Sequence, residues 1–398
     1  MPTTRTPIAL EHLDAHLFEG LSSDHRTERI SHSPFSMIDG ALGDAYTASA
    51  LYHATEDQKW WDLLMNRVST LVEVLRTHRF DQGGLLGGLS GMAYLLTVSR
   101  HNEEEFSNAL SSLNSRISTL AERKLWDLHR SIGKRREDYD YAVGLAGIAH
   151  YLFVADEQYR GLAKQICNEF AELSLQPLPH SFWTGAADLD PAMVEHTPEL
   201  GNGMRDLGFA HGIAGVIAVL KVGHKVFEDP SYLTAATRLM DVLVADIAEH
   251  NHSGPSYFQT PSPASNPPRP STKSRQAWCY GTPSAEISAA GCQPLEQQLN
   301  SSLVHGEDYF DPQLGSFNDS GLCHGVAGRQ YLADQLGFAA SASWLEHVEN
   351  QITHFLSGPS TGVDLSFWHG IGGTTAVWAG RESSHGYAPA LTILGVKK

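Results

Sequence analysis

The sequence predicts an all-α protein, an α,α-toroid in which about seven inner helices stand inside about seven outer ones. Three observations carry this. A Gly-x-x-Gly motif recurs along the chain, each copy leads into an apolar run, and charged amphipathic segments fill the intervals. The copies are Gly40-Ala-Leu-Gly43, Gly88-Leu-Ser-Gly91, Gly144-Leu-Ala-Gly147, Gly212-Ile-Ala-Gly215, Gly325-Val-Ala-Gly328 and Gly370-Ile-Gly-Gly373, with a degenerate seventh at Gly281-Thr-Pro-Ser284. From first glycine to first glycine the steps are 48, 56, 68, 69, 44 and 45 residues, enough for two helices and two loops each.

The runs after the motifs, such as Met92-Ala-Tyr-Leu-Leu-Thr-Val and Val216-Ile-Ala-Val-Leu, are apolar on more than one face. A helix of that kind is buried all round, so these are the inner helices. Tyr232 to Glu249 and Trp344 to Leu356 alternate apolar and charged positions at helical spacing and read as outer helices with one wet face. Strand signals are few. Paired glycines at a helix start allow close backbone packing and a sharp turn. Two stretches break the pattern. Pro177 to Arg205 is loop-like, and Pro255 to Ser274, with six prolines and many serines, reads as an exposed loop. The chain is expected to form one domain over residues 1–398, with the motif-bearing core at about 33–380.

At 398 residues and 41% hydrophobic content the chain has material for a large core. No run of about 18 apolar residues occurs, so no membrane span is expected. Met1 to Gly20 carries Glu11, His12 and Asp14 without an apolar core and does not read as a signal peptide. The 45 acidic residues exceed the 28 basic ones, for a net charge of −17. Such a surface repels phosphate backbones, which argues against nucleic acid and favours a cationic partner. Four cysteines (Cys167, Cys279, Cys292 and Cys323) are too few for a disulfide scaffold, and a cytoplasmic location is expected.

If the repeats are equivalent, equivalent positions face one cavity. The residue before each first glycine is Asp39, Gly87, Val143, His211, Tyr280, His324 and His369. One position earlier, consecutive repeats carry Cys279 and Cys323. Cys279, Cys323 and His324 thus form a set of two thiols and an imidazole. That set suits one zinc ion and leaves a fourth coordination position for water or substrate, as catalytic sites do. Buried inert cysteines, or a Cys279–Cys323 disulfide, are the competing readings, the second disfavoured by compartment. Cys167, on an amphipathic segment, and Cys292, in a loop, lie outside the motifs and are read as non-functional.

Trp278-Cys279-Tyr280-Gly281, Leu322-Cys323-His324-Gly325 and Ala210-His211-Gly212-Ile-Ala-Gly215 resemble the LanC family of lanthionine synthetases, and the resemblance runs from about Ser33 to Gly380. It implies a double-layered α,α-barrel with one zinc ion held by Cys279, Cys323 and His324. It also implies that His211 is an acid/base, that Asp140 is an aspartate near the metal, that Arg275 lies close to the site, and that Tyr280 follows the first ligand. Asp138 competes with Asp140, which is preferred for its offset from Gly144. Ser284 departs from the family's glycine, and the repeat around Gly40 is the weakest match. His369 shares the register of His324 but belongs to a repeat farther from the ligands in sequence.

The activity implied is zinc-dependent addition of a dehydrated precursor peptide's cysteine thiols to dehydroalanine or dehydrobutyrine, forming the thioether rings of a lanthipeptide. A dehydratase and a transporter are the implied partners, with possible peripheral membrane contact through that complex. In this reading His211 moves the proton, Asp140 orients it, and Arg275 and Tyr280 stabilise the enolate or orient neighbours. The rivals are a relative that adds glutathione to dehydroamino acids, a terpenoid cyclase or prenyltransferase, and a non-catalytic peptide-binding toroid. No Asp-rich diphosphate site supports the second.

Overall fold

A computed structural model describes residues 10–23, 26, 28, 30, 32–178, 180–249, 258–259, 277–300, 320–337, 344, 346–348, 350 and 364–395. In chain order its helices are α1 (Leu10–Leu21), α2 (Ala41–Thr55), α3 (Gln58–Thr77), α4 (Leu89–Ser99), α5 (Ser107–Arg130), α6 (Arg136–Tyr139), α7 (Leu145–Leu152), α8 (Arg160–Leu175), α9 (Pro191–His196), α10 (Ile213–Phe227), α11 (Pro230–Glu249), α12 (Thr282–Ala289), α13 (Gln293–Asn300), α14 (Val326–Leu336) and α15 (Ile371–Glu382). Two residues on each side form the strand pair β1 (Arg205–Asp206) and β2 (Phe258–Gln259), antiparallel with Asp206 opposite Phe258.

Seven helices begin at a motif glycine: α2, α4, α7, α10, α12, α14 and α15. Buried residues run without a break from Leu89 to Leu96 in α4 and from Ile213 to Leu220 in α10, as expected of inner helices. The helices between them bury one stripe. In α3 it is Trp60, Leu63, Leu64, Arg67, Val68 and Leu71; in α11 it includes Tyr232, Ala235, Ala236, Leu239, Met240 and Leu243. Most of the outer segment expected at Trp344 to Leu356 lies outside the described residues.

The motif glycines have a specific use. A glycine at the N-cap has no side chain to cap the first amides of its helix. The preceding loop caps them instead, by folding back over the helix end. Amides at Gly43, Leu89, Ser90, Gly91, Gly147, Ala327, Gly328 and Ile371 each donate to the carbonyl seven residues earlier. The second glycine of the motif makes room for that loop. A Cβ at Gly43, Gly147, Gly215, Gly328 or Gly373 would collide with the carbonyl oxygen six residues before it. The fifth repeat is built differently. Gly281 takes φ +87°, where the other N-cap glycines lie between −91° and −134°. The rerouted loop accommodates Ser284 in place of the glycine.

The chain divides into two compact units. In the first, Met1–Phe80 with Glu307–Thr392, α2 packs on outer α3 and on α15, and α15 packs on α14. Arg26 and Arg67 both bind the buried Asp44 of α2, at 2.5 and 3.1 Å, and Arg67 also donates to Leu21 O. In the second, Asp81–Gly306 with Ile393–Lys398, inner helices pack in sequence order, α4 on α7, α7 on α10 and α10 on α12, each backed by outer helices. The C-terminal segment closes over the core of this unit, where Tyr141 Oη and Trp278 Nε1 donate to Ile393 O and Leu394 O. The stretch Pro177 to Arg205 is more ordered than a plain loop: Leu189, Leu200 and Met204 form a small core of their own beside Met193 and Val194. Of Pro255 to Ser274, all but β2 lies outside the described residues.

Candidate functional site

Register equivalence, inferred from spacing alone, has a backbone counterpart. The carbonyl two residues before the first glycine accepts an amide from the preceding repeat's loop. Ala142 O accepts from Leu86 N, Ala210 O from Ala142 N and Cys279 O from Phe209 N in the second unit; Trp368 O accepts from Cys323 N in the first. Loops tied at one level present their side chains at one level. Cys279 therefore stands in register with Ala210, and Cys323 with Trp368.

A second rule sets the side-chain pairs. The residue four before a first glycine faces the residue one before the next. Glycines occupy the earlier position at 84, 208 and 321, where a Cβ would crowd Val143, Tyr280 and His369 respectively. At the third repeat that position is Asp140 and its opposite number is His211. Here the contact is a hydrogen bond, His211 Nδ1 to Asp140 Oδ2 at 2.7 Å. Asp140 is fully buried, and its other oxygen accepts the amides of Val143 and Gly144 at 2.7 and 2.8 Å, which locks the carboxylate onto the start of α7. Asp138 turns away to pair with Arg135 at 3.0 Å and Lys124 at 3.4 Å.

The His211 side chain is 39% exposed. Burial lowers its pKa, but the bond and charge of Asp140 and the charge of Asp206 outweigh burial and the opposing Arg136, leaving it above the ordinary 6.5. Asp206 is itself buried. Desolvation holds its pKa above the ordinary carboxylate value, against the Gly208 amide, His211, Tyr280 and Arg136. Tyr280 Oη donates to Asp206 Oδ2 at 2.9 Å, and Arg136 Nη1 lies 3.8 Å from the same oxygen. Burial, then the Asp206 charge, pushes the Tyr280 phenol well above its usual value.

In the second unit the structure thus brings together three of the expected residues, His211, Asp140 and Tyr280, with Cys279 buried beside Tyr280. Arg275 lies outside the described residues. In the first unit Cys323 and His324 precede α14, and His369 packs edge-on against His324 with ring centroids 4.9 Å apart. Sequence distance is therefore a poor guide for His369, because consecutive repeats are neighbours. Two residues escaped the sequence reading, Asp206 and Arg136. Asp206 stands six before Gly212, as Asp138 stands before Gly144 and Asp364 before Gly370, so reading that register position would have flagged it.

Cys279 lies in the second unit and Cys323 and His324 in the first; two thiols and an imidazole are the donor types that suit zinc. No disulfide joins any of the four cysteines. Cys167 is buried, with its thiol pushed up to about 12 by desolvation, as befits an inert core cysteine. No helix among the described residues is long and apolar enough to cross a membrane.

A nisin cyclase of known structure aligns with 96% of this chain and 97% of its own, at a TM-score of 0.73 and 20% identity. That likeness shows the fold, an α,α-toroid. The nisin biosynthesis protein NisC of Lactococcus lactis subsp. lactis is 25% identical over 295 residues, a match spanning 66% of this chain and 64% of that protein. The family described as lanthionine synthetase C-like protein matches residues 31–373, which take in all seven motifs, Asp140, His211 and the Cys-Tyr-Gly and Cys-His-Gly pairs. The chain is a member of the lanthionine synthetase C-like family.

Proposed function

We propose that this protein is a lanthionine cyclase that adds the cysteine thiols of a dehydrated precursor peptide to dehydroalanine or dehydrobutyrine, in the cytoplasm and beside a dehydratase and a transporter. The observation that carries the reading is the Asp140–His211 pair, standing where three other repeats juxtapose a glycine (Gly84, Gly208 or Gly321) with its neighbour. Cys279, Cys323 and His324 would hold one zinc ion. Bound there, zinc supplies the positive charge that favours the thiolate form of an incoming cysteine at neutral pH.

The protein's own groups handle the proton. As the substrate sulfur bonds to the β-carbon, the π electrons of the dehydroamino acid move onto its carbonyl oxygen, and the enolate must gain a proton at the α-carbon. His211 with Nδ1–H directed at Asp140 keeps Nε2 as the site that gives up the proton and later takes one from the next thiol. The buried carboxylate of Asp140 fixes the ring and stabilises its charged form. Arg275 is proposed to meet the enolate oxygen. Tyr280, whose hydroxyl proton is committed to Asp206, orients its neighbours.

The test counts free thiols after incubating protein, zinc and a dehydrated precursor peptide. Thiols should disappear without a change in peptide mass. Cys323→Ala should lose both bound metal, measured by elemental analysis, and ring closure. Thiols that persist with wild-type protein, while added glutathione forms adducts on the same peptide, would replace the cyclase reading with the glutathione-adding one.

A further inference from the structure

Asp206 has no role in the reading above, yet it is tied into the fifth repeat at two points. Its main chain pairs with Phe258 in β2, and its side chain accepts the Tyr280 hydroxyl at 2.9 Å, one residue after Cys279. Its second oxygen accepts Gly208 N at 2.9 Å, closing a turn that keeps the carboxylate from rotating. Gly208, in turn, lacks the Cβ that would stand 2.5 Å from the Tyr280 ring. The Asp206 side chain is 3% exposed, and a charge so buried is costly unless it is compensated. Arg136, at 3.8 Å, is its cationic neighbour. Three groups act on His211: Asp140 by direct bond at 2.7 Å, Asp206 through space, its Oδ1 2.5 Å from where a Cβ on the adjoining Gly212 would stand, and Arg136 in opposition. Tyr139, fully buried, adjoins the same cluster.

We propose that Asp206 is a positioning residue for the cyclisation: it holds the Tyr280 ring beside Cys279 and, together with Asp140, places His211 in a negative environment. Asp206 touches neither substrate nor metal in this assignment. Its effect passes through Tyr280 and His211. One consequence is that Tyr280 does not donate to the enolate, because its single hydroxyl proton is already placed. Another is that the loop carrying the first cysteine takes its orientation from a carboxylate of the preceding repeat.

The proposal rests on the cyclase reading, and its primary test is independent of turnover. The protonation midpoint of the His211 ring is followed by NMR in metal-loaded protein without peptide, for wild type, Asp206→Asn and Arg136→Gln. Asp206→Asn should move the midpoint to lower pH and Arg136→Gln to higher pH, with metal content unchanged. In the cyclisation assay Asp206→Asn should lower kcat on the order of tenfold to a hundredfold with little change in KM. Adding Tyr280→Phe to Asp206→Asn should cost no more than Asp206→Asn alone, since the shared contact is already broken. A His211 midpoint that stays put in both Asp206→Asn and Arg136→Gln overturns the electrostatic role, and Arg136→Gln decides alone if Asp206→Asn fails to fold. Rate losses from Asp206→Asn and Tyr280→Phe that multiply overturn the positioning of Tyr280. If wild type closes no ring while both variants show their NMR shifts, the cyclase reading fails and the electrostatic assignment stands.

Discussion

At His211 two effects oppose each other. Burial favours the neutral ring, and the adjoining carboxylates favour the charged one and prevail. A folded-state pKa raised above 6.5 means that the native protein binds this proton more tightly than the unfolded chain. The stability His211 contributes is therefore fully present below about pH 6.5 and is lost as pH rises through the folded value. In the proposed role of proton donor it should show the same sense in catalysis: kcat should decline on the alkaline side with a midpoint above that of free histidine. His211→Ala should abolish this limb and lower kcat roughly a hundredfold to ten-thousandfold while bound zinc, measured by elemental analysis, is retained. An unchanged pH profile in His211→Ala would remove the residue from the chemistry. Asp140 and Asp138 illustrate what a sequence can and cannot separate. Both are aspartates just before one motif; the offset from Gly144 favours Asp140, and the fold shows that it turns inward to His211 while Asp138 meets Arg135 and Lys124.

Among the elements, the inner helices gain their regularity from the loops in front of them. In the repeats of Gly43, Gly147, Gly328 and Gly373 the second motif glycine lets the loop fold onto its helix and cap it from seven residues away. Gly147→Ala sets two effects against each other. Helix propensity gains about 1 kcal/mol, whereas forcing a methyl group against Tyr141 O and Leu85 costs about 1–3 kcal/mol or more because one obstacle is backbone. The clash should win, and the urea midpoint of Gly147→Ala should fall. Gly161, in the first turn of α8, has nothing within 4 Å of a Cβ, so Gly161→Ala should be neutral or stabilise by up to about 1 kcal/mol. Equal midpoints for the two variants would show that the glycines mark composition and not packing. Ser284 fits this account, because its repeat is the one whose N-cap glycine adopts a left-handed φ.

For the molecule as a whole, the net charge of −17 sets how it meets substrates. Long-range attraction to a cationic peptide weakens as salt shortens the screening length, about threefold for a tenfold rise in ionic strength. KM for a cationic precursor should therefore rise with salt while kcat stays level, and a net-anionic peptide of the same ring pattern should show the opposite drift in KM. A salt-independent KM for both would confine recognition to short-range contacts.

Much of this architecture was legible in the chain because steric need leaves a signature in residue type. Only glycine fits where a loop carbonyl meets a helix, so the repeats, the inner helices and the register of Cys279, Cys323, His324 and His211 could be read directly. Contacts between side chains of different repeats leave no such mark. An aspartate is permitted at many surface and cap positions, and its spacing does not reveal which neighbour it reaches. The sequence by itself determined the helical repeat and the residues placed before each helix. Only the tertiary structure decided that Asp140 reaches His211, that Asp206 holds Tyr280, and that His369 meets His324, because those pairings depend on which loops the backbone brings side by side.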